Sequence, residues 1–176
     1  MRREVFLHIA FLVTFFILVS LFRGWFDVSY WPFWLGGIIG TFLPDVDHLV
    51  YVYFLRPHEL TPQRANQMLG ERRFGEAAKF LAQTKGERET LVFHTILFQI
   101  IFLILTFLVV TSSGSLFGTG LVLSFSLHFL VDQMMDLKAE TWKRWFHMTP
   151  LDFDKTQFRS YWWVVLILVC LFGFLL

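Results

Sequence analysis

The chain has 176 residues, 56% hydrophobic and 19% aromatic with 23 Phe and 7 Trp, and a formal net charge of +1. One soluble core of that length cannot hide so much apolar surface, so lipid must cover the rest, and no nucleic-acid footprint is visible. The single cysteine, Cys170, lies in an apolar run, which excludes a disulfide framework and a thiolate zinc site and leaves His, Asp and Glu as metal ligands.

Five hydrophobic segments are predicted to cross the membrane as helices: residues 5–22, 31–55, 91–110, 119–135 and 161–176. Each can span a hydrocarbon core of about 30 Å, the last two only just. The first follows Arg2 and Arg3 as a signal peptide would, but its length and the lack of an A-x-A-like cleavage motif predict a retained span. In the second, the run WLGGIIGTFLPDVDHLVYVYF sets Gly36, Gly37, Gly40 and Pro44 ahead of two aspartates and a histidine, and a kink or break is expected at Pro44.

Residues 57–89 form a polar insert in which Ala77, Ala78, Phe80 and Leu81 recur at helical intervals, predicting one or two short surface helices punctuated by Gly70, Gly75 and Gly86. TSSGSLFGT (111–119) reads as a short external turn. Between Leu137 and Arg159 basic residues mix with Trp142, Trp145 and Phe146, and Trp162 and Trp163 follow, the composition of interfacial helices. Without a repeat or a linker, residues 1–176 read as one all-α membrane domain.

Arg2 and Arg3 precede the first span, seven basic residues lie between Arg56 and Arg88, five lie between Lys138 and Arg159, and only Arg23 falls on the other side. Five crossings with a cytoplasmic N-terminus place fourteen of the fifteen basic residues inside, following the positive-inside rule. This orientation predicts an outward C-terminus and a bacterial-type inner-membrane location.

Ionisable groups inside spans are costly and their default reading is functional. The predicted spans hold His8; Asp45, Asp47 and His48; His94; and His128, Asp132 and Asp136. By counting residues from the cytoplasmic ends, four helices present nitrogen and oxygen ligands at one level, in the cytoplasmic third of the membrane. His128-x-x-x-Asp132 puts two of them on one helical face, with Asp136 a turn further along it. The blander readings are a satisfied histidine–carboxylate hydrogen bond for that pair, a polar helix end for residues 45–48 and a core histidine for His94. Glu4 could accept from the His8 ring, and His58 and His147 read as surface residues.

These residues resemble the YdjM-like family of membrane-bound metal-dependent hydrolases, through His8, the run FLPDVDH (42–48), FHT around His94, and SLHFLVD from Ser126 to Asp132. The first histidine of that family's H-R-G-x-T-H-S motif is missing here; Glu89 stands at its offset, and Glu87 would share the His94 face on a longer helix. More distantly, the order of residues is similar to the zinc-dependent phospholipase C and single-strand nuclease superfamily. The resemblance implies one or two divalent ions, zinc first, held among His8, Asp45, Asp47, His48, His94, His128 and Asp132.

Asp47 or Asp136 is then the expected general base for water attack on a phosphoester, with Arg56, Arg88 and Lys138 holding the phosphate of a lipid or lipid-linked substrate. A transporter or proton-coupled channel would use the same groups as an ion pathway, but the external halves of the spans are almost wholly apolar. An inactive scaffold with a structural metal is the third reading.

Overall fold

Where water is absent, a run of Leu, Ile, Phe and Val can satisfy its backbone by winding into a helix, and this chain does so almost throughout. The computed structural model describes residues 2–88 and 90–174, with the side chains of residues 2–4, 82 and 85 left aside. The described residues are all-helical and contain no strand. The α-helices are α1 (Arg2–Arg23), α2 (Trp31–Phe42), α3 (Val46–Val50), α4 (Leu60–Gly70), α5 (Phe74–Gln83), α6 (Ile96–Ser112), α7 (Leu116–Ala139) and α8 (Lys155–Phe174). Four segments are long and apolar enough to cross a membrane: Val5–Arg23, Val28–Leu55, Leu116–Ala139 and Lys155–Phe174.

The second apolar run breaks where proline requires it. A 3-10 turn, Leu43–Asp45, joins α2 to α3, which continues into a π-helical turn at Tyr51–Leu55. The polar insert forms two helices, α4 and α5. The third run departs from expectation: its helix starts only at Ile96, and the resulting 17 residues make α6 apolar but short. At about 1.5 Å per residue it spans about 25 Å. The last run begins earlier than expected because Asp154 caps it. Its Oδ1 accepts the N–H groups of Thr156 and Gln157, while Gln157 Oε1 accepts the N–H of Asp154 at 2.9 Å, a reciprocal capping box.

Helix α7 is the axis of the bundle. Every residue from Val122 to Gln133 is buried, so no face of it is left for lipid, and α1, α2, α6 and α8 all pack on it. The α2 contact is the closest because glycines bring the two backbones together. A Cβ on Gly36 would overlap the carbonyl oxygen of Phe117, one on Gly40 that of Leu121, and one on Gly120 that of Phe33. Gly36 and Gly40 are four residues apart, the small-xxx-small spacing that lets helices approach in lipid.

On its other side α7 is tied by buried amides. Gln133 Nε2 donates to Gln99 Oε1 at 2.6 Å, and the Tyr161 hydroxyl donates to the same oxygen at 2.8 Å, joining α6, α7 and α8. Trp145, expected at the interface, is instead fully buried: its Nε1–H donates to Asp136 Oδ2 at 2.7 Å, drawing the Trp142–Phe146 turn back onto α7.

Gly120→Leu and Gly36→Leu should each lower stability by about 1–3 kcal/mol or more, since the added atoms meet backbone rather than a mobile side chain. Gly70→Ala and Gly75→Ala, with nothing near their Cα, should leave it nearly unchanged. Thermal unfolding of the detergent-solubilised protein, followed by size-exclusion monodispersity, measures the difference; an unaltered Gly120→Leu protein would contradict the seam.

Candidate metal centre

Asp47 sets the local architecture. It is completely buried, and its Oδ1 accepts the N–H of Val92 at 3.1 Å while Oδ2 accepts those of Phe93 at 2.6 Å and His94 at 3.2 Å. A carboxylate that gathers three successive backbone donors holds residues 92–94 out of the helix. Winding resumes only when Thr95 Oγ1 caps α6 by accepting the N–H of Phe98. His94 therefore sits on an irregular segment ahead of α6, not within a span as expected, and Asp47 Oδ2 also meets its Nδ1 at 3.1 Å.

Three imidazoles then converge on one carboxylate. Asp132 Oδ2 lies 3.0 Å from His94 Nε2 and 3.3 Å from His128 Nε2, and Asp132 Oδ1 lies 3.5 Å from His8 Nε2. All four residues are buried. Ligand atoms of His8, His128 and Asp132 all fall within 4.8 Å of one another.

The group behind the His128 ring fixes where its proton sits. His128 Nδ1 is 2.7 Å from the carbonyl oxygen of Thr41, which can only accept, so Nδ1 carries the proton and the neutral ring turns an Nε2 lone pair toward Asp132. That Nε2 is buried and makes no hydrogen bond. His94 lies between two carboxylates, with Nδ1 3.1 Å from Asp47 Oδ2 and Nε2 3.0 Å from Asp132 Oδ2, so either nitrogen can carry the donated proton. A lone pair aimed at a carboxylate is relieved by a proton or a metal ion between them. A divalent ion with bonds of about 2.0–2.1 Å in tetrahedral geometry sets its donors about 3.4 Å apart, close to the 3.3 Å from Asp132 Oδ2 to His128 Nε2, while His8 Nε2 lies 3.5 Å from the other carboxylate oxygen, Oδ1.

The remaining expected residues surround this core. Asp45 is half exposed, with Oδ1 3.9 Å from His128 Nε2, and borders a cavity of about 30 Å³ shared with His8, Ile9, Thr41 and His128. That is room for a water molecule or two. His48 is buried and stacked on His94 with ring centroids 5.4 Å apart, but its Nδ1 accepts from Arg88 Nε at 3.1 Å.

Asp47 and Asp136 do not suit the role of general base expected for them, because their oxygens are already committed. Those of Asp136 accept from Arg144, Trp145 and Thr141. Arg56 and Lys138 are exposed, Arg56 lying 3.9 Å from Glu59, and neither has a recorded contact with the centre. Glu87 bonds the Thr61 hydroxyl at 2.6 Å, so it is engaged with α4 and not with His94. Glu89 and the Glu4 side chain lie outside the described residues. His58 and His147 are exposed, as expected.

Sequence reasoning missed Thr41, whose part is played by a backbone carbonyl. Its only signal was position: it is in the last turn before Pro44, where helical carbonyls lose their partners. It also missed Arg144 and Trp145 as the partners of Asp136. No family model matches the chain, and neither curated proteins nor solved structures give a match, so the family resemblance rests on the motif residues themselves.

Asp47→Ala would leave three backbone donors and one imidazole without their acceptor, at about 1–3 kcal/mol each where they stay buried. Amides of residues 92–94 should then exchange with deuterium much faster than in the wild type, while those in the middle of α7 stay protected. Unchanged exchange at 92–94 would remove Asp47 from this role.

Proposed function

We propose that the chain is a membrane-embedded, metal-dependent hydrolase that cleaves a phosphoester of a lipid-like substrate. The observation that carries this reading is the convergence of His8, His94 and His128 on the buried carboxylate of Asp132, with the His128 lone pair fixed toward it by the Thr41 carbonyl. His8, His128 and Asp132 would hold the ion, zinc being well suited to such N and O donors, and His94 would offer a further nitrogen through Nε2. Asp47 stands behind His94 as the carboxylate that orients a metal-binding imidazole.

A divalent ion held there lowers the pKa of a water molecule and polarises a phosphoryl oxygen. Asp45 is the carboxylate placed to take the proton: it borders the small cavity beside His8 and His128, and half of it is exposed, so the proton can pass to solvent. Asp132 keeps both oxygens turned to the imidazoles, and Asp136, neutralised by Arg144, holds the end of α7 in place.

Five crossings, with α6 as a short third span and the N-terminus in the cytoplasm, would open the centre toward the inner leaflet of a bacterial-type inner membrane. The support is the charge distribution, with fourteen of fifteen basic residues on one side of that arrangement. In a Cys170→Ser background, Glu71→Cys should resist an impermeant maleimide in intact cells and react once the inner face is exposed. Labelling in intact cells would reverse the orientation.

The purified wild-type chain should carry stoichiometric divalent metal by elemental analysis and hydrolyse members of a phosphoester lipid panel. Chelation should abolish turnover and added zinc restore it. His128→Ala and Asp132→Asn should lose metal and activity with helical circular dichroism intact, and Asp47→Asn should weaken metal affinity by about 10–100-fold. A wild-type chain without metal, its histidines charged against Asp132, would replace the metal centre by an ion-pair network and end the hydrolase reading.

A further inference from the structure

Helix α1 carries His8 near one end and Ser20 near the other, about 18 Å apart along its axis. Beyond Ser20 the helix ends in a Schellman motif: Gly24 takes a left-handed φ of +68°, and the N–H of Trp25 donates to the Ser20 carbonyl at 2.9 Å. Trp25 is thereby held next to Ser20, with the Arg23 guanidinium 4.8 Å from its ring centroid and Tyr30 stacked on it at 5.2 Å. Trp34 is braced by Phe16 and Phe33. Ser20, Trp25, Asp27, Tyr30, Trp31 and Trp34 border a cavity of about 370 Å³. That is the size of a small-ligand pocket, and it lies away from the candidate metal centre.

Two observations mark it as more than an aromatic belt at the membrane interface. Ser20 is 4% exposed, and among the described residues its Oγ is buried without a hydrogen bond. Thr41, Thr106 and Ser124 instead turn their hydroxyls back to carbonyls of their own helices at 2.8–3.0 Å. A buried hydroxyl that forgoes such a bond is costly unless a ligand atom takes its place. The second observation is Asp27, the one carboxylate bordering the cavity among the described residues. Its Oδ1 accepts the Ser29 N–H at 2.8 Å, and this bond holds the carboxyl below its ordinary range, so it stays charged.

Ring faces are electronegative, and several of them beside a carboxylate suit a positive charge. The Arg23 guanidinium over Trp25 is the same attraction within the chain; with Trp25 covered by Arg23 and Tyr30, the cavity's Trp31, Trp34 and Tyr30 are left to meet a ligand. A metal ion would need a shell of oxygen ligands that these walls do not supply. An uncharged apolar occupant would use neither Asp27 nor Ser20.

We propose that this cavity binds an organic ammonium group with an oxygen close to its nitrogen, the pattern of choline and ethanolamine. Trp31, Trp34 and Tyr30 hold the charge together with Asp27, and the Ser20 hydroxyl bonds the oxygen. The site is separate from the metal centre and does not rest on the hydrolase reading. A phospholipid head group and a free ammonium alcohol share this chemistry.

The test is choline binding by the full-length protein in a maltoside detergent, followed by calorimetry or tryptophan fluorescence. Wild type should bind choline saturably, and should bind its uncharged isostere, with carbon in place of nitrogen, at least about tenfold more weakly. Trp31→Leu should weaken choline binding by about three- to thirtyfold, the worth of one ring–cation contact. Asp27→Asn should weaken it by about two- to fivefold, as for an exposed charge. Ser20→Ala should weaken binding of choline but not of tetramethylammonium, which has no oxygen. Trp163→Leu, at an exposed tryptophan of α8 outside the cavity, should change neither. Binding should survive removal of metal by a chelator.

Short-chain phosphatidylcholine binding more tightly than choline would mark a lipid head group, and equal or lower affinity a free ligand; either supports the site. No saturable binding of choline or tetramethylammonium by wild type, equal affinity for the uncharged isostere, unchanged choline affinity in a Trp31→Leu protein that keeps its helical circular dichroism, or binding that vanishes with the metal would overturn it.

Discussion

A buried carboxylate cannot stand among lone pairs. Asp132 faces three imidazoles; the Thr41 carbonyl draws the His128 proton to the far side of its ring, and His94 is held between the Asp47 and Asp132 carboxylates. Remove the Thr41 contact and the His128 ring can turn its N–H to Asp132, giving an ordinary hydrogen bond. In the proposed metal centre the His128 lone pair is thus set from behind, by a group that would never touch an ion.

The Thr41 and Asp47 contacts come from one stretch of chain, residues 41–47. Pro44 interrupts the regular α-helical ladder there: a 3-10 turn, Leu43–Asp45, joins α2 to α3, and the Thr41 carbonyl just before it meets His128. Just beyond the turn, Asp47 reaches residues 92–94 while Asp45 stays half exposed beside the cavity. The glycine seam with α7 sets this stretch at the right distance: Gly40 meets α7 at Leu121 and Ser124, one turn before His128. Close backbone packing and the helix break are accordingly one design, and neither would position the imidazoles without the other.

Much of this was legible in sequence. Ionisable residues inside apolar runs announce themselves, and their shared depth follows from counting residues along helices, so the convergence of His8, Asp45, His94, His128 and Asp132 was readable. Roles were harder. Asp47 and Asp136 look like their neighbours in sequence, and only the three backbone donors around one and Arg144 and Trp145 around the other distinguish them from a base with access to water. The start of α6 was hidden because Leu91–Thr95 is apolar enough to continue a helix; a side chain more than forty residues earlier in sequence stops it. The capping box at Asp154 and Gln157 was present in the letters and was obscured by the aromatic, basic stretch around it.

The motif histidine that the resemblance calls for and this chain lacks is best judged against that geometry. Glu87, the described carboxylate nearest its place, is turned to Thr61, so it does not restore the missing ring. The three imidazoles at Asp132 come instead from α1, the 91–95 segment and α7, and each is positioned within its own element or by residues 41–47. The proposed centre is thus assembled without a contribution from Glu87. What the 88–94 loop keeps is Arg88, whose buried charge lies next to His48 rather than among the ligands.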